Sequence, residues 1–392
     1  MQRMRLSRAR AVLLVTITLL FVVYAGNAAA PTRGATDRFG PGRAKLLAAT
    51  ERGIRAVKDQ WWDARAGWYR ERLNGNPNLT SIWSVVHLFN ALDALALMDH
   101  SRVHVRMLQR FADRMHRLYW NPTAGHVPRT RIAVGGYTPF PNQRGKRVHT
   151  FYDDNGWLGL AFFQAYKATG TPAYLSYAKG AFDFIARTGW AAGIGGGVWW
   201  DSKHASRSSE SISSTTLLAA LLYEQTHQAR YLATAKRYIA WADKNIWNSD
   251  AGLYERDPFS PILMAYVQSP FAAAMASLCR STGDNSWCER SEQLAGSALS
   301  HFQTKLSHGP QYDSVYLQWM LDVYSQDGNP RLYELGYDNA QRALARAGGA
   351  NSIYLRDWDG RRAPDAANDS IKIDTSTLQL FAWVAAVKPP GG

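Results

Sequence analysis

The feature that most constrains this chain is an alternation of helical segments with connectors of two very different lengths. From about Gly40 onward, apolar residues recur at three- and four-residue spacing, as in Leu217, Leu218, Leu221, Leu222 or Tyr231, Ala235, Tyr238, Ile239, Ala242. That is the period of a helix burying one face. The spacing predicts twelve helices, over 41–60, 81–99, 101–119, 153–169, 172–190, 209–226, 229–247, 262–281, 284–303, 311–326, 330–347 and 370–387. No run of comparable length alternates with period two. Links after the even helices down to the tenth are short: His100-Ser101, Thr169 to Pro172, His227-Gln228, Thr282 to Asp284 and Asp327 to Pro330. Those after most odd helices are long and aromatic, running from Trp61 to Asn78, Tyr119 to His149, Gly195 to Ser208, Trp247 to Ser260 and Tyr354 to Asn368. Six hairpins that cover one another's apolar faces close into a ring, so the expected fold class is all-α, an (α/α)6 barrel or toroid in a single domain over 41–388. The long links then share one rim, where the even, inner helices begin.

On that rim lies Phe151-Tyr152-Asp153-Asp154-Asn155-Gly156-Trp157, two adjacent carboxylates between aromatic rings at the start of the fourth helix. Like charges in contact, with rings thinning the screening water, make at least one of the pair titrate abnormally. Neighbours on one helical turn hold their carboxyl groups roughly 5–6 Å apart, close to the ~5–5.5 Å of a retaining glycosidase pair. A structural reading competes, because Asp is also favoured at a helix N-cap; one Asp suffices for that. Convergence of the pair and the loop aromatics on one cleft favours catalysis. Trp199, Trp200 and Tyr254 are expected to stack on sugar rings, with Asp201 accepting hydroxyl hydrogen bonds. Tyr152 and Asn155, which bracket the pair, are read as substrate-binding with it.

The rest of the chain narrows the class. Its 392 residues are 46% hydrophobic and 19% charged, enough for a large core and unlike a disordered or fibrous protein. The formal charge of +14 is spread out rather than interleaved with aromatics along a groove, which argues against nucleic acid and for a basic surface, with an anionic cell envelope as a second partner. Arg3 to Arg10, the apolar run Ala11 to Gly26 and the small residues through Ala30 read as a signal peptide over 1–30, with an uncleaved anchor as the other use of the same pattern, followed by a linker over 31–40. A secreted or envelope-facing protein, monomeric, is therefore expected. In that setting Cys279 and Cys288, nine positions apart across a turn-like stretch, are expected to form a disulfide. His87, His104 and His116 lack carboxylate partners at ligand spacing, so no metal and no cofactor is expected. Gly195-Gly196-Gly197 lacks the following Lys-Ser/Thr of a phosphate loop and reads as a tight turn for close sugar approach. An Asp-rich terpene synthase would need a third acid four positions after the first; that position is Trp157.

The Tyr152-Asp153-Asp154-Asn155-Gly156-Trp157 motif, the Gly196-Gly197-Val198-Trp199-Trp200-Asp201 loop and the Leu253-Tyr254-Glu255-Arg256-Asp257 loop together resemble glycoside hydrolase family 76, the endo-α-1,6-mannanases. The resemblance implies an (α/α)6 barrel that cleaves α-1,6-linked mannan with retention, Asp153 being the nucleophile and Asp154 the acid/base. Two stretches depart from it: Ala265-Tyr266-Val267-Gln268-Ser269-Pro270 stands where many relatives carry Asn-Gln-Gly, and Ser211-Ile212-Ser213-Ser214-Thr215 where many carry Asn. A hydrolase of another polysaccharide, a transglycosylase and a non-hydrolytic glycan binder remain the alternatives; turnover on defined glycans separates them.

Overall fold

The computed structural model describes residues 38–74, 78–349, 353–361 and 370–392; the expected signal segment and most of the expected linker lie outside them. Twelve helices follow in order: α1 (Gly40–Trp61), α2 (Ile82–Asp99), α3 (Arg102–Tyr119), α4 (Tyr152–Thr169), α5 (Pro172–Thr188), α6 (Ser209–Thr226), α7 (Ala229–Asn245), α8 (Ala265–Thr282), α9 (Asn285–Phe302), α10 (Pro310–Asp327), α11 (Pro330–Arg346) and α12 (Ile371–Ala386). Composition sorts them into two shells. In α2, apolar almost all round, buried residues run unbroken from Ser84 to Ala96, as a helix enclosed on every side must be. In α3 only the stripe Leu108, Phe111, Ala112, Met115, Tyr119 is buried, and Arg102, Arg106, Arg110 and Arg117 are exposed, the signature of an outer helix.

The inner helices close a ring: α2 packs on α4, α4 on α6, α6 on α8, α8 on α10, α10 on α12, and α12 back on α2. Each outer helix covers an inner one, with α1 lying on α12. The short links work because a left-handed residue ends every even helix from α2 to α10: His100, Gly170, His227, Gly283 and Gly328, all with φ between 48° and 71°. Such a residue reverses the chain within two or three positions. Cys279 in α8 and Cys288 in α9 form the expected disulfide, their Cα atoms 5.3 Å apart.

The long links are not plain loops. Three of them fold into antiparallel ribbons: β1 (Trp62–Asp63) with β2 (Trp68–Tyr69), β3 (Trp120–His126) with β4 (Ala133–Tyr137), and β5 (Trp247–Asn248), β6 (Leu253–Asp257) and β7 (Ser260–Leu263) in a three-stranded sheet. β7 occupies the first positions of the expected 262–281 helix, so α8 starts at Ala265.

Candidate active site

The N-terminal turns of the inner helices and the links before them enclose a cleft of about 760 Å³. Asp153 and Asp154 stand in it, in the first turn of α4. The N-cap of α4 is Phe151, which supplies no capping side chain, so neither Asp is spent on that role. Asp153 Oδ1 accepts the Asp154 backbone N–H at 3.0 Å, and Oδ2 accepts the indole N–H of Trp200 at 3.1 Å. Asp154 is the more enclosed of the two, only 8% exposed.

A third carboxylate, absent from the sequence-based site, joins them. Glu210 opens α6, where Ser208 Oγ donates to its Oε2 at 2.7 Å and the Tyr266 hydroxyl donates to its Oε1 at 3.1 Å. Its signal was present: an acid in the first turn of an inner helix, as at Asp153. Two small residues let the helices carrying these acids meet. A Cβ on Gly156 would fall 2.2 Å from Ser214 Oγ, and Ser214 turns its hydroxyl back onto Glu210 O at 2.8 Å, which keeps that face of α6 slim.

The electrostatics separate the acids. Burial first, then the Glu210 charge, push the pKa of Asp153 up to about 7, against the pull of the Trp200 indole and the Asp154 N–H. Burial first, then the Asp153 charge, raise Asp154 well above the usual carboxylate range. The proton therefore resides on Asp154 when the pair shares one. Asp153 is thus raised by desolvation and by Glu210 although it stands in the first turn of a helix.

Aromatic rings form much of the rest of the cleft. Trp83 from α2, Trp157 from α4, Tyr266 from α8 and Tyr312 from α10 cluster with ring centroids 4.9–6.3 Å apart. Of the aromatics expected in the cleft, Trp200 lines it, 39% exposed and packed on Phe151 at 5.3 Å. The others are placed elsewhere. Trp199 points to the opposite side of its segment and stacks on His204 at 5.2 Å. Tyr152 is buried and its hydroxyl donates to Thr188 O at 2.9 Å. Asn155 is buried and clamps Tyr137, accepting its N–H at 2.7 Å and donating to its carbonyl at 2.9 Å. Tyr254 is buried and its hydroxyl donates to Asp243 at 2.7 Å. Asp201 is buried 2.8 Å from His149 Nε2, tying the Trp200 loop to the segment before α4. None of these five lines the cleft, and the polar groups of Tyr152, Asn155, Tyr254 and Asp201 have partners inside the protein.

The glycine turn also packs against the protein. Gly196 and Gly197 have φ of 90° and 89°, and a Cβ on either would strike the Trp241 ring, so close packing on a tryptophan is what the glycines permit. Among the described residues no three His, Cys, Asp or Glu side chains converge to hold a metal ion. A second cavity of about 610 Å³, between α1 and α3, has no carboxylate in its lining, so the acid chemistry belongs to the first.

Solved structures share this architecture. An α-mannanase of glycoside hydrolase family 76 from Bacteroides thetaiotaomicron matches with a TM-score of 0.79 at 17% identity, covering 88% of this chain and 98% of that one. The α-1,6-mannanase of Salegentibacter sp. HEL1_6 matches at 0.71 and 16%, covering 88% and 100%. The protein Dfg5 from Chaetomium thermophilum, solved in complex with glucosamine, matches at 0.70 and 13%, covering 90% and 93%. At such identities the likeness is one of fold. No curated protein matches the chain in sequence. Residues 133–327, from β4 to the end of α10 and including all three carboxylates, match the family model of glycosyl hydrolase family 76, and the chain belongs to that family.

Proposed function

We propose that the protein hydrolyses internal α-1,6-mannosidic bonds with net retention. In this reading the Asp153 carboxylate attacks the anomeric carbon as Asp154 gives its proton to the departing glycosidic oxygen. Asp154, now a carboxylate, then takes a proton from the water that releases the sugar from Asp153. The observation that carries the proposal is the pairing at the cleft floor of a carboxylate oriented by two N–H donors with a neighbour that burial and charge keep protonated. Adjacent residues on one turn leave little room for the water that an inverting pair, ~6.5–9.5 Å apart, must accommodate.

The choice of mannan draws support from relatives: inactive variants of the Salegentibacter α-1,6-mannanase have been captured with α-1,6-mannotriose and α-1,6-mannotetrose. The half-buried rings of Trp83, Tyr266 and Tyr312, backed by the buried Trp157, offer stacking surfaces for sugars. We further propose that the enzyme works outside the cytoplasm, as the basic, apolar and small-residue succession of residues 1–30 suggests. Incubation with α-1,6-mannan, α-1,6-glucan and lipomannan-type glycans tests the substrate, and proton NMR of the first-formed product reads its anomer. Cleavage of mannan to an initial α-anomer is expected; an initial β-anomer overturns the mechanism, and turnover of glucan alone overturns the substrate.

A further inference from the structure

The 610 Å³ cavity between α1 and α3 lies on the outer shell, away from the carboxylates, and combines two properties that no function in catalysis requires. Its floor is apolar, made by Ile54 of α1, Leu88 and Leu92 of the inner helix α2, and Phe111 of α3. Val103 stands at its lip 67% exposed, an aliphatic side chain left in water. Along the same groove runs a stripe of cations at one-turn spacing, Arg102, Arg106, Arg110 and Arg114, faced by Lys58 from α1. Residues four apart on a helix share a face, so the stripe extends ~18 Å.

None of these five cations has a carboxylate within ion-pair distance among the described residues. Lys58 instead sits 2.7 Å over the Trp62 ring, and Arg114 donates to Ala66 O at 3.1 Å. Burial and the like charge of Arg114 lower the pKa of Lys58, outweighing the opposing pull of Asp59. Two cations that repel one another at the end of an apolar groove are relieved by an anion placed between them.

We propose that this groove binds an anionic amphiphile, an acyl chain lying on the aliphatic floor with its phosphate-bearing head among the arginines. The chemistry argues against simpler occupants. A free inorganic anion would leave the floor and Val103 in water, and a neutral hydrocarbon would leave five cations uncompensated. A nucleic acid would ask for exposed ring faces, whereas Trp68 and Tyr69 are buried with their edges turned into other rings. Arginine forks match phosphate oxygens in pairs.

The test uses the full-length protein and a single-chain phosphatidic acid bearing a diazirine at the acyl terminus, kept below its micelle concentration. After irradiation, adducts are mapped by mass spectrometry. Adducts are expected on the peptides carrying Ile54 and Val103–Met107. The double variant R106E/R110E should cut that labelling by about tenfold or more, and Val103→Asp, a change at an exposed position, should cut it several-fold. R129E/R131E, the same charge change on exposed arginines between β3 and β4, should leave it unaltered. Adducts confined to residues 1–30 or to the carboxylate cleft overturn the proposal. So does labelling indifferent to R106E/R110E, an equal loss in R129E/R131E, or full competition by inorganic phosphate. Mannan turnover by R106E/R110E should match that of the unaltered protein, so this result stands or falls apart from the catalytic reading.

Discussion

At the scale of residues, the cleft turns on three carboxylates whose proton affinities are set by burial and by one another. If the singly protonated pair is the active form, activity rises as Asp153 loses its proton and falls as Asp154 loses its own. Glu210 raises the lower of these steps. Glu210→Gln removes that charge and should lower the Asp153 pKa, moving the ascending limb of the kcat/KM profile to lower pH; a limb that stays put or moves up would show that Glu210 does not act on Asp153. Asp153→Asn should lower kcat by about 10³-fold or more, as for other lost nucleophiles. Asp154→Ala should be tolerated only by substrates whose leaving group needs no proton. A different acid, Asp93, is buried in α2 with neither oxygen hydrogen-bonded within the protein, and burial raises its pKa well above the ordinary value. The folded chain keeps a proton there that the unfolded chain releases near pH 4, so stability falls as pH climbs from about 4 toward the folded value. Asp93→Asn abolishes that linkage. Thermal melts should show a Tm gain at pH 8 and little or none at pH 4.

At the scale of elements, a repeated clamp explains which aromatics line the cleft and which do not. The fourth residue of α4, Asn155, bonds the backbone of Tyr137; the fourth of α8, Gln268, accepts the Tyr254 N–H at 2.9 Å and donates to its carbonyl at 2.8 Å; the fourth of α12, Asp374, accepts the Tyr354 N–H at 2.8 Å. Each link thus pins a tyrosine to the inner helix that follows it, and the tyrosine ring becomes core. Gln268→Ala strands a buried N–H and carbonyl and should cost about 1–3 kcal/mol. Tyr254→Ala should lower Tm while leaving KM unaltered in the folded enzyme; a rise in KM without loss of stability would return Tyr254 to the sugar site. Helix bounds were legible because apolar residues recur at helical spacing and each even helix from α2 to α10 ends at glycine or at a residue able to take its place. The ribbons were not, since strands as short as Trp62–Asp63 carry too few residues to display a period. The aspartate pair stood out as two adjacent acids, whereas Glu210 is a lone acid in a serine-rich run. Trp199 and Trp200 look alike in sequence, and only the extended backbone, which sends successive side chains to opposite sides, decides that Trp200 reaches Asp153.

At the scale of the whole molecule, closure of the ring should govern cooperativity. In an open stack of hairpins each unit touches only its neighbours, and loss of a terminal one leaves the remainder standing. Here α12 is both last in sequence and central in space, packed on α1, α2, α10 and α11. A buried polar chain crosses the seam: Gln379 of α12 meets His87 of α2 at 2.6 Å and donates to Gln318 of α10 at 2.5 Å. Removing α12 takes these partners from His87 and Gln318 and opens the apolar faces of α2 and α10 to water at once. The Cys279–Cys288 bond, by contrast, closes a loop of about ten residues within one hairpin, which limits its contribution to about 3 kcal/mol. Calorimetry of a chain ending at residue 361 should therefore show no cooperative transition, while Cys279→Ala/Cys288→Ala should melt cooperatively a few degrees below the unaltered protein. A truncated chain that still melts sharply would mean that the hairpins stand as an open stack.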